Sequence, residues 1–358
     1  MRVLHLMGSL NPSGMERMFI SAAEVPVWIS PDSESQTVIV CQGTSHPFRL
    51  ELESAGYTVV AISPIDSFSG ILQMSKVLKD FTPDIVHIHT EGAFAVAVWL
   101  VVTRSRKSKI IRTVHNIFPT RGRTSFSRRV QAALADFCVD SFIAPSPDVA
   151  ENERALGRNC RVIFNWVGSK FSTSHALGVS NLTAAKELDA SVPSVVMVGN
   201  CSRIKNHQFV LDILVSSSLG LYLHGSEADA SEREVRLLDR IAAEGRLLHR
   251  GTGDPFYSLL KGSVYLMPSL REGFAVALAE ALSMGLPCVV SDVPGLRWAR
   301  DLPGVFMLPL DDARWRELLT VDWCRSVGNF WDRRTLVDFS AERGVRDYQN
   351  VYRNAICS

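Results

Sequence analysis

Glu272 and Glu280 are the residues around which chemistry is easiest to build. They lie in Pro268-Ser-Leu-Arg-Glu272-Gly273-Phe274-Ala275-Val276-Ala-Leu-Ala-Glu280-Ala-Leu-Ser-Met-Gly285, followed by Leu286-Pro287. Eight residues apart on one helix, they would sit about 80° apart around its axis rather than stack. With Glu272 in a loop and Glu280 on the second turn, both border the helix N-terminus. Behind a turn at Gly273, the N–H groups of Phe274, Ala275 and Val276 would then meet an anion, which the helix dipole favours. Carboxylates repel phosphate, so the glutamates suit hydroxyls. Amides for a diphosphate and carboxylates for ribose and hexose hydroxyls together describe a nucleotide sugar. On spacing alone, a loop glutamate and a partly solvated helix glutamate account for the pair equally well.

Histidines offer a second kind of chemistry. His115 follows the apolar run 110–114, and His87 and His89 lie in Asp84-Ile-Val-His-Ile-His89. At the carboxyl end of a strand, an imidazole can donate to a sugar hydroxyl or orient an acceptor. His115 and His89 fit that place, and His87 reads as structural.

These residues need strands to position them. Apolar runs predict strands over 3–7, 37–41, 58–62, 85–88, 110–114, 141–144 and 162–164, then 195–198, 221–223, 247–249, 264–267, 288–290 and 305–308. Most are apolar on both faces, as in parallel strands covered by helices. Helical stretches alternate with them, giving right-handed βαβ units in two doubly wound sheets of an α/β chain. The turn at Gly273 opens a helix of about ten residues that Gly285 and Pro287 end. A Ser-, Thr- and Ala-rich segment, 172–193, marks the domain boundary, with a short helix over 181–188. Residues 341–356 have helical spacing, with Tyr348, Val351 and Tyr352 on the apolar side. Ligands of such sheets bind beyond the carboxyl ends of the strands.

Bulk properties narrow the class. A chain of 358 residues accommodates two domains. A formal net charge of +1 gives no reason to expect a nucleic-acid partner. Met1-Arg-Val-Leu-His-Leu reads as a strand rather than a signal peptide, and the uncharged stretch 92–103 is too short to span a bilayer. Seven cysteines without CxxC spacing predict reduced thiols and no zinc site. A cytoplasmic enzyme is expected. Gly8-Ser-Leu-Asn-Pro-Ser13-Gly14-Met15-Glu16-Arg17 is not GxGxxG, which argues against a nicotinamide dinucleotide.

The stretch beginning at Pro268 resembles the Glu-x7-Glu motif of retaining GT-B glycosyltransferases, the group that includes glycosyltransferase family 4. There Pro-Ser-x-x-Glu-Gly-Phe is followed by a second Glu, Gly-x-Pro and a strand ending Ser/Thr-Asp. Here the last part is Val289-Val290-Ser291-Asp292, then Pro294-Gly295. The resemblance, to enzymes of capsular and exopolysaccharide biosynthesis, spans nearly the whole chain and is strongest over 195–295. It implies two Rossmann-like domains facing a central cleft: an acceptor-side domain, 1–171, on which 340–358 packs back, and a donor-binding domain, 172–339.

The same resemblance implies a reaction. A sugar would pass from a nucleoside-diphosphate donor, UDP favoured, to a glycan or lipid-linked glycan of a surface polysaccharide. The anomeric configuration would be retained, without metal or other cofactor. Lys205 and Arg203, in Gly199-Asn200-Cys-Ser-Arg203-Ile-Lys205-Asn206-His207, would neutralise the departing diphosphate. The family's usual arginine is replaced by Asn200. Glu272 would hold the donor sugar, Glu280 the ribose, and His115 the donor sugar or acceptor. Gly14, Gly199, Asn200, Gly225 and Arg250 would join residues Gly273, Phe274, Ala275 and Val276 around the donor, and His89 would line the acceptor side. A nucleotide-sugar epimerase on the same fold stays open. So does a non-catalytic binding or regulatory subunit, to which Asn200 points.

Residues 92–135 contain no Asp or Glu but hold Arg104, Arg106, Lys107, Lys109, Arg112, Arg121, Arg123, Arg128 and Arg129, with Trp99, Phe118 and Phe126 interleaved. One reading is an acceptor-side surface, centred on Arg121 and Arg123, for anionic lipid headgroups on the inner face of the cell membrane. The other is a basic face whose partners lie elsewhere in the fold.

Overall fold

The apolar runs become the strands of two parallel sheets. The computed structural model describes residues 1–29, 36–119, 121–173, 192–327 and 337–357. The chain divides into two compact units, Met1–Gly168 with Ser340–Ser358, and Ser169–Phe339.

The first unit holds β1 (Arg2–Leu6), β2 (Gln36–Gln42), β3 (Thr58–Ile62), β4 (Ile85–Ile88), β5 (Lys109–Thr113), β6 (Ser141–Ala144) and β7 (Cys160–Val162). They are ordered β3-β2-β1-β4-β5-β6-β7. Val86 and Ile88 join one core under helices Phe68–Phe81 and Phe94–Arg104. Helix Ala341–Cys357 buries Val345, Tyr348, Val351 and Tyr352 in the same unit. Its Gly344 is required by Trp166: a Cβ there would lie 2.0 Å from the indole.

The second unit holds β8 (Ser194–Val198), β9 (Gly220–His224), β10 (Leu247–Gly251), β11 (Val264–Met267), β12 (Cys288–Ser291) and β13 (Val305–Leu308), ordered β10-β9-β8-β11-β12-β13. Strand order reverses beside β1 and β4 in one unit, and beside β8 and β11 in the other. Open α/β sheets bind ligands outside the carboxyl ends at such switch points. The loops after β4, β8 and β11 are therefore the places to inspect.

Two expectations shift. β7 occupies Cys160–Val162 rather than 162–164, because the ladder to β6 pairs Phe142 with Cys160 and Ala144 with Val162. The apolar residues that follow are buried after the ladder has ended. The helix after Gly273 spans Val276–Ser283, eight residues instead of ten, since Ala275 is left-handed (φ +64°) and delays its start. The helix expected over 181–188 lies outside the described residues, as does most of the boundary segment 172–193. Among the described residues no helix is long and apolar enough to cross a membrane.

Candidate active site

In the second unit, Lys205 follows β8 and Glu272 follows β11. Lys205 Nζ lies 2.8 Å from Glu272 Oε1, and the Ser269 hydroxyl donates to the same oxygen at 2.6 Å. Glu272 Oε2 accepts no hydrogen bond among the described residues, so half of a fixed carboxylate remains open to a hydroxyl.

Three glycines hold this pair. Gly199 (φ +147°) lies under the lysine: a Cβ there would sit 3.1 Å from Lys205 Cε. At Gly225 (φ +157°) a Cβ would come within 2.0 Å of the Gly199 carbonyl oxygen, and at Gly295 (φ +86°) within 1.8 Å of the Glu272 carbonyl oxygen. Only glycine allows such backbone approach in these conformations. The Glu272 N–H also donates to Pro294 O at 3.2 Å, fixing the glutamate from behind.

Asn200 has a different use from the arginine it replaces. Its Oδ1 accepts the Ser226 N–H at 2.9 Å, between a Gly199 N–H donated to His224 O and a Cys201 N–H donated to Ser226 O, both at 2.8 Å. The loops after β8 and β9 are thus laced together, with the Asn200 side chain as one of the ties.

Two helices begin beside the pair. Helix His207–Leu214 starts after left-handed Asn206 (φ +54°) and helix Val276–Ser283 after left-handed Ala275, and neither has a side-chain cap. Asn206 Nδ2 donates to Pro268 O at 3.0 Å, which ties the first helix start to the second loop. Phe274 is buried and stacked on Trp298 at 4.7 Å, and its carbonyl accepts the indole N–H at 2.9 Å. Left-handed non-glycine residues are strained and concentrate at functional sites. The positive helix ends are suited to an anion. Glu280 lies on the second turn, only 5% exposed. Tyr265 in β11 has its phenol pushed well up, by burial first and then by its electrostatic neighbours Cys288, Glu272 and Glu280.

Other expected donor residues are placed differently. Arg250 is committed elsewhere: Nε and Nη2 reach the two Glu227 oxygens at 2.8 Å each, and Nη1 reaches Asp239 Oδ1 at 2.6 Å. These bonds commit the side chain, while the donor contact that the resemblance implies for this segment is made by its backbone. The same bonds hold the Glu227 carboxyl below its usual range. Arg203 is exposed in the turn before Lys205 and makes no ion pair among the described residues. Gly14 opens helix Gly14–Ala23, whose start is capped from within. Ser13 Oγ accepts the Met15 N–H at 3.3 Å, and buried Glu16 takes the Ser13 hydroxyl and the Asn11 N–H.

In the first unit the histidines form an array. His115 Nε2 is 2.9 Å from His89 Nδ1, and His89 Nε2 is 3.0 Å from His5 Nδ1. His87 stands beside His89, its nitrogens on the Tyr352 hydroxyl at 2.6 Å and Thr113 Oγ1 at 2.7 Å. Burial lowers His5 to about 3. Burial, then the Arg112 charge, lowers His115 to about 4. His89 corrects its expected role: it is 7% exposed, with both nitrogens taken by histidines, so it lines no acceptor surface. His115 is half-buried and forms the array's outer end. His5 was missed. Its signal was the register His5↔His87 of β1 and β4, which puts residues 5, 87 and 89 on one sheet face.

The basic stretch divides. Arg112 stacks on Phe94 and pairs with Glu91 at 2.7 Å, Arg128 pairs with Glu153 at 2.8 Å, and Lys109 pairs with Asp140 at 3.3 Å. These three are partnered within the fold. Arg104, Arg106, Lys107, Arg121, Arg123 and Arg129 are exposed. Helix Arg123–Ala135 also exposes Phe126, Val130 and Leu134, four residues apart, and Phe137 follows at 81% exposure. Helix Phe94–Arg104 packs beside it and exposes Trp99 and Val102.

Known proteins resemble this chain in both units. Residues 34–169 match the family described as Glycosyltransferase Family 4, and residues 192–315 match Glycosyl transferases group 1. A protein of Bacillus subtilis (strain 168) named as glycosyltransferase EpsF is 32% identical over 315 residues, 81% of this chain and 79% of its own. A shorter match, 47% over 51 residues (14% of this chain, 13% of the relative), is to the UDP-Gal:alpha-D-GlcNAc-diphosphoundecaprenol alpha-1,3-galactosyltransferase of Escherichia coli. Anabaena HepE, solved in complex with UDP and glucose, superposes with a TM-score of 0.76 at 16% identity, over 99% of this chain and 100% of that one. With the paired doubly wound sheets and the likeness to EpsF along most of both chains, this chain belongs to glycosyltransferase family 4, on the GT-B fold.

Proposed function

We propose that the protein transfers a sugar from a UDP-sugar to a glycan or lipid-linked glycan, with retention at the anomeric carbon and without metal. The observation that carries this reading is the Lys205–Glu272 pair, engaged through one carboxylate oxygen at a switch point, beside two helix starts without side-chain caps. The acceptor oxygen bonds to the anomeric carbon on the face from which the diphosphate leaves. The C–O bond to the diphosphate breaks, and the acceptor proton passes to the leaving phosphate oxygen. Lys205 and the helix N-termini stabilise the charge that develops on the diphosphate. Glu272 Oε2 holds a donor-sugar hydroxyl, Glu280 the ribose, and His115 a sugar or acceptor hydroxyl. The UDP in HepE and the UDP-Gal donor of the E. coli relative support the choice of base. The diphosphoundecaprenol in that relative's name supports a lipid-linked acceptor. The exposed Phe126–Val130–Leu134 stripe among arginines supports an acceptor met at an anionic membrane.

The test is thermal unfolding with UDP, GDP and ADP, each with EDTA and with magnesium. Ligand at a hundred times its dissociation constant adds about 2.7 kcal/mol. UDP is expected to raise the midpoint by several degrees in EDTA. A shift that requires magnesium, or none with UDP, would defeat the reading. Anomeric proton spectra of the product from a UDP-sugar then decide retention. Exchange of Arg121 and Arg123 together for Glu should reduce sedimentation with anionic liposomes, and unchanged sedimentation would remove the membrane from the proposal.

A further inference from the structure

The three rings His115, His89 and His5 make a hydrogen-bonded line with unlike ends. At the outer end, His115 Nδ1 makes no hydrogen bond among the described residues. At the inner end, His5 Nε2 is buried and has no hydrogen-bond partner among the described residues. Around His5 stand Phe19 at 4.8 Å and Trp28 at 5.6 Å, ring centre to ring centre. The Trp28 indole N–H is spent on the Tyr57 hydroxyl, which itself donates to Phe19 O. His87, the other polar neighbour, has both nitrogens occupied. Among the described residues, nothing there accepts a hydrogen bond from His5 Nε2.

Each neutral imidazole carries one N–H, so two hydrogen bonds in series have only two arrangements. Either every ring donates inward, leaving a buried N–H on His5 Nε2 without an acceptor, or every ring donates outward, leaving a lone pair there. Orphaned buried N–H groups are the rarer outcome. We infer that the array points outward: His5 Nδ1–H donates to His89 Nε2, His89 Nδ1–H donates to His115 Nε2, and His115 keeps its proton on Nδ1 as an outward-facing donor. His5 and His89 are positioning residues. They fix which nitrogen of His115 offers a hydrogen, and so whether it donates to a hydroxyl or accepts from one. Low pKa values keep the rings neutral at pH 7. His5, His87 and His89 also have ring nitrogens within 4.8 Å of one another, as a metal site would. Here those nitrogens bind His115, Tyr352, Thr113 and each other, apart from His5 Nε2, the single atom left over.

The use of that donor on a sugar or acceptor hydroxyl rests on the function proposed above, whereas the tautomer does not. Long-range proton–nitrogen spectra of the full chain with labelled histidine at pH 7 report the protonated nitrogen of each ring directly. Nδ1–H on His115 is expected. Nε2–H on His115 in the wild-type protein overturns the inference, whether or not any transfer is detected. His5→Phe removes the inner donor and should mix the two His115 tautomers. His5→Asn, whose amide can donate in place of Nδ1–H, should restore Nδ1–H. An unmixed Nδ1–H in His5→Phe would show that His5 does not set the direction. Should that variant fail to fold, the wild-type spectrum still decides. In transfer assays His5→Phe should lower kcat about tenfold, His5→Asn should recover it, and UDP affinity should stay at the wild-type value in both. Loss of UDP binding in wild type would strike the proposed function and leave the tautomer result standing.

Discussion

The two units solve the placing of polar groups in opposite ways. In the first, His5, His87, His89 and His115 are neutral rings whose hydrogen-bond partners are one another, Thr113 and Tyr352. In the second, a full positive charge faces a full negative one, half-buried, over glycines. A neutral array has direction without charge, which suits a hydroxyl. An ion pair has charge that can be redistributed, which suits a diphosphate. In a partly buried pair the cost of desolvating both charges offsets much of their attraction, so the Lys205–Glu272 pair is better explained by what it can bind than by what it holds together.

The largest effect should come from removing the charged side. Lys205→Ala is expected to lower kcat by about a hundred- to a thousandfold, with the midpoint of unfolding nearly unchanged. Near-normal turnover would mean that phosphate charge is met elsewhere. Acid should break the neutral side. His5 and His115, lowered to about 3 and about 4, and His87 and His89, lowered well below the ordinary 6.5 by burial, bind protons more readily unfolded than folded. Their stabilisation is complete above pH 6.5 and is lost as pH falls from there toward 4 and below. In the second unit His207 behaves alike, at about 4. Amide exchange should therefore rise first in β1, β4 and β5 between pH 6.5 and 4. Earlier exchange in β8 and β11 would contradict the contrast.

Smaller changes sharpen it. Gly295→Ala, forced against the Glu272 carbonyl, should weaken donor binding about tenfold and cost about 1–3 kcal/mol of stability. Normal affinity would show that the Glu272 backbone can move freely. Glu280→Ala should raise the UDP dissociation constant by up to tenfold, about 1.4 kcal/mol, and an unchanged constant would reject its ribose role. Asn200→Ala, which removes one tie to Ser226, should be mildest, about 1 kcal/mol of stability with turnover within a few fold. A collapse of activity would give Asn200 a direct part in catalysis.

The two doubly wound parallel sheets and the strand positions, to within a residue or two, were readable, because runs apolar on both faces between helical stretches have few other arrangements. The Glu272 loop was readable too, since glycine, proline and a carboxylate at fixed offsets carry local geometry. What escaped was set by contacts distant in sequence. Nothing in the sequence showed that Glu227 and Asp239 would take all three nitrogens of Arg250. Arg112 and Arg128 looked like surface charge until Glu91 and Glu153 reached them. His5 looked like one more strand residue until the register of β1 on β4 set it in line with His89.

Helix Ala341–Cys357 carries one further consequence, in the order of synthesis. It emerges from the ribosome after the whole of Ser169–Phe339, yet it completes the first unit. Until then His87 lacks its Tyr352 partner, and Trp166 lacks the glycine that lies against it. The second unit can finish folding while the first still waits with an apolar face open. The newborn chain is thus most vulnerable to proteases and to self-association late in its translation, through the half that was made first.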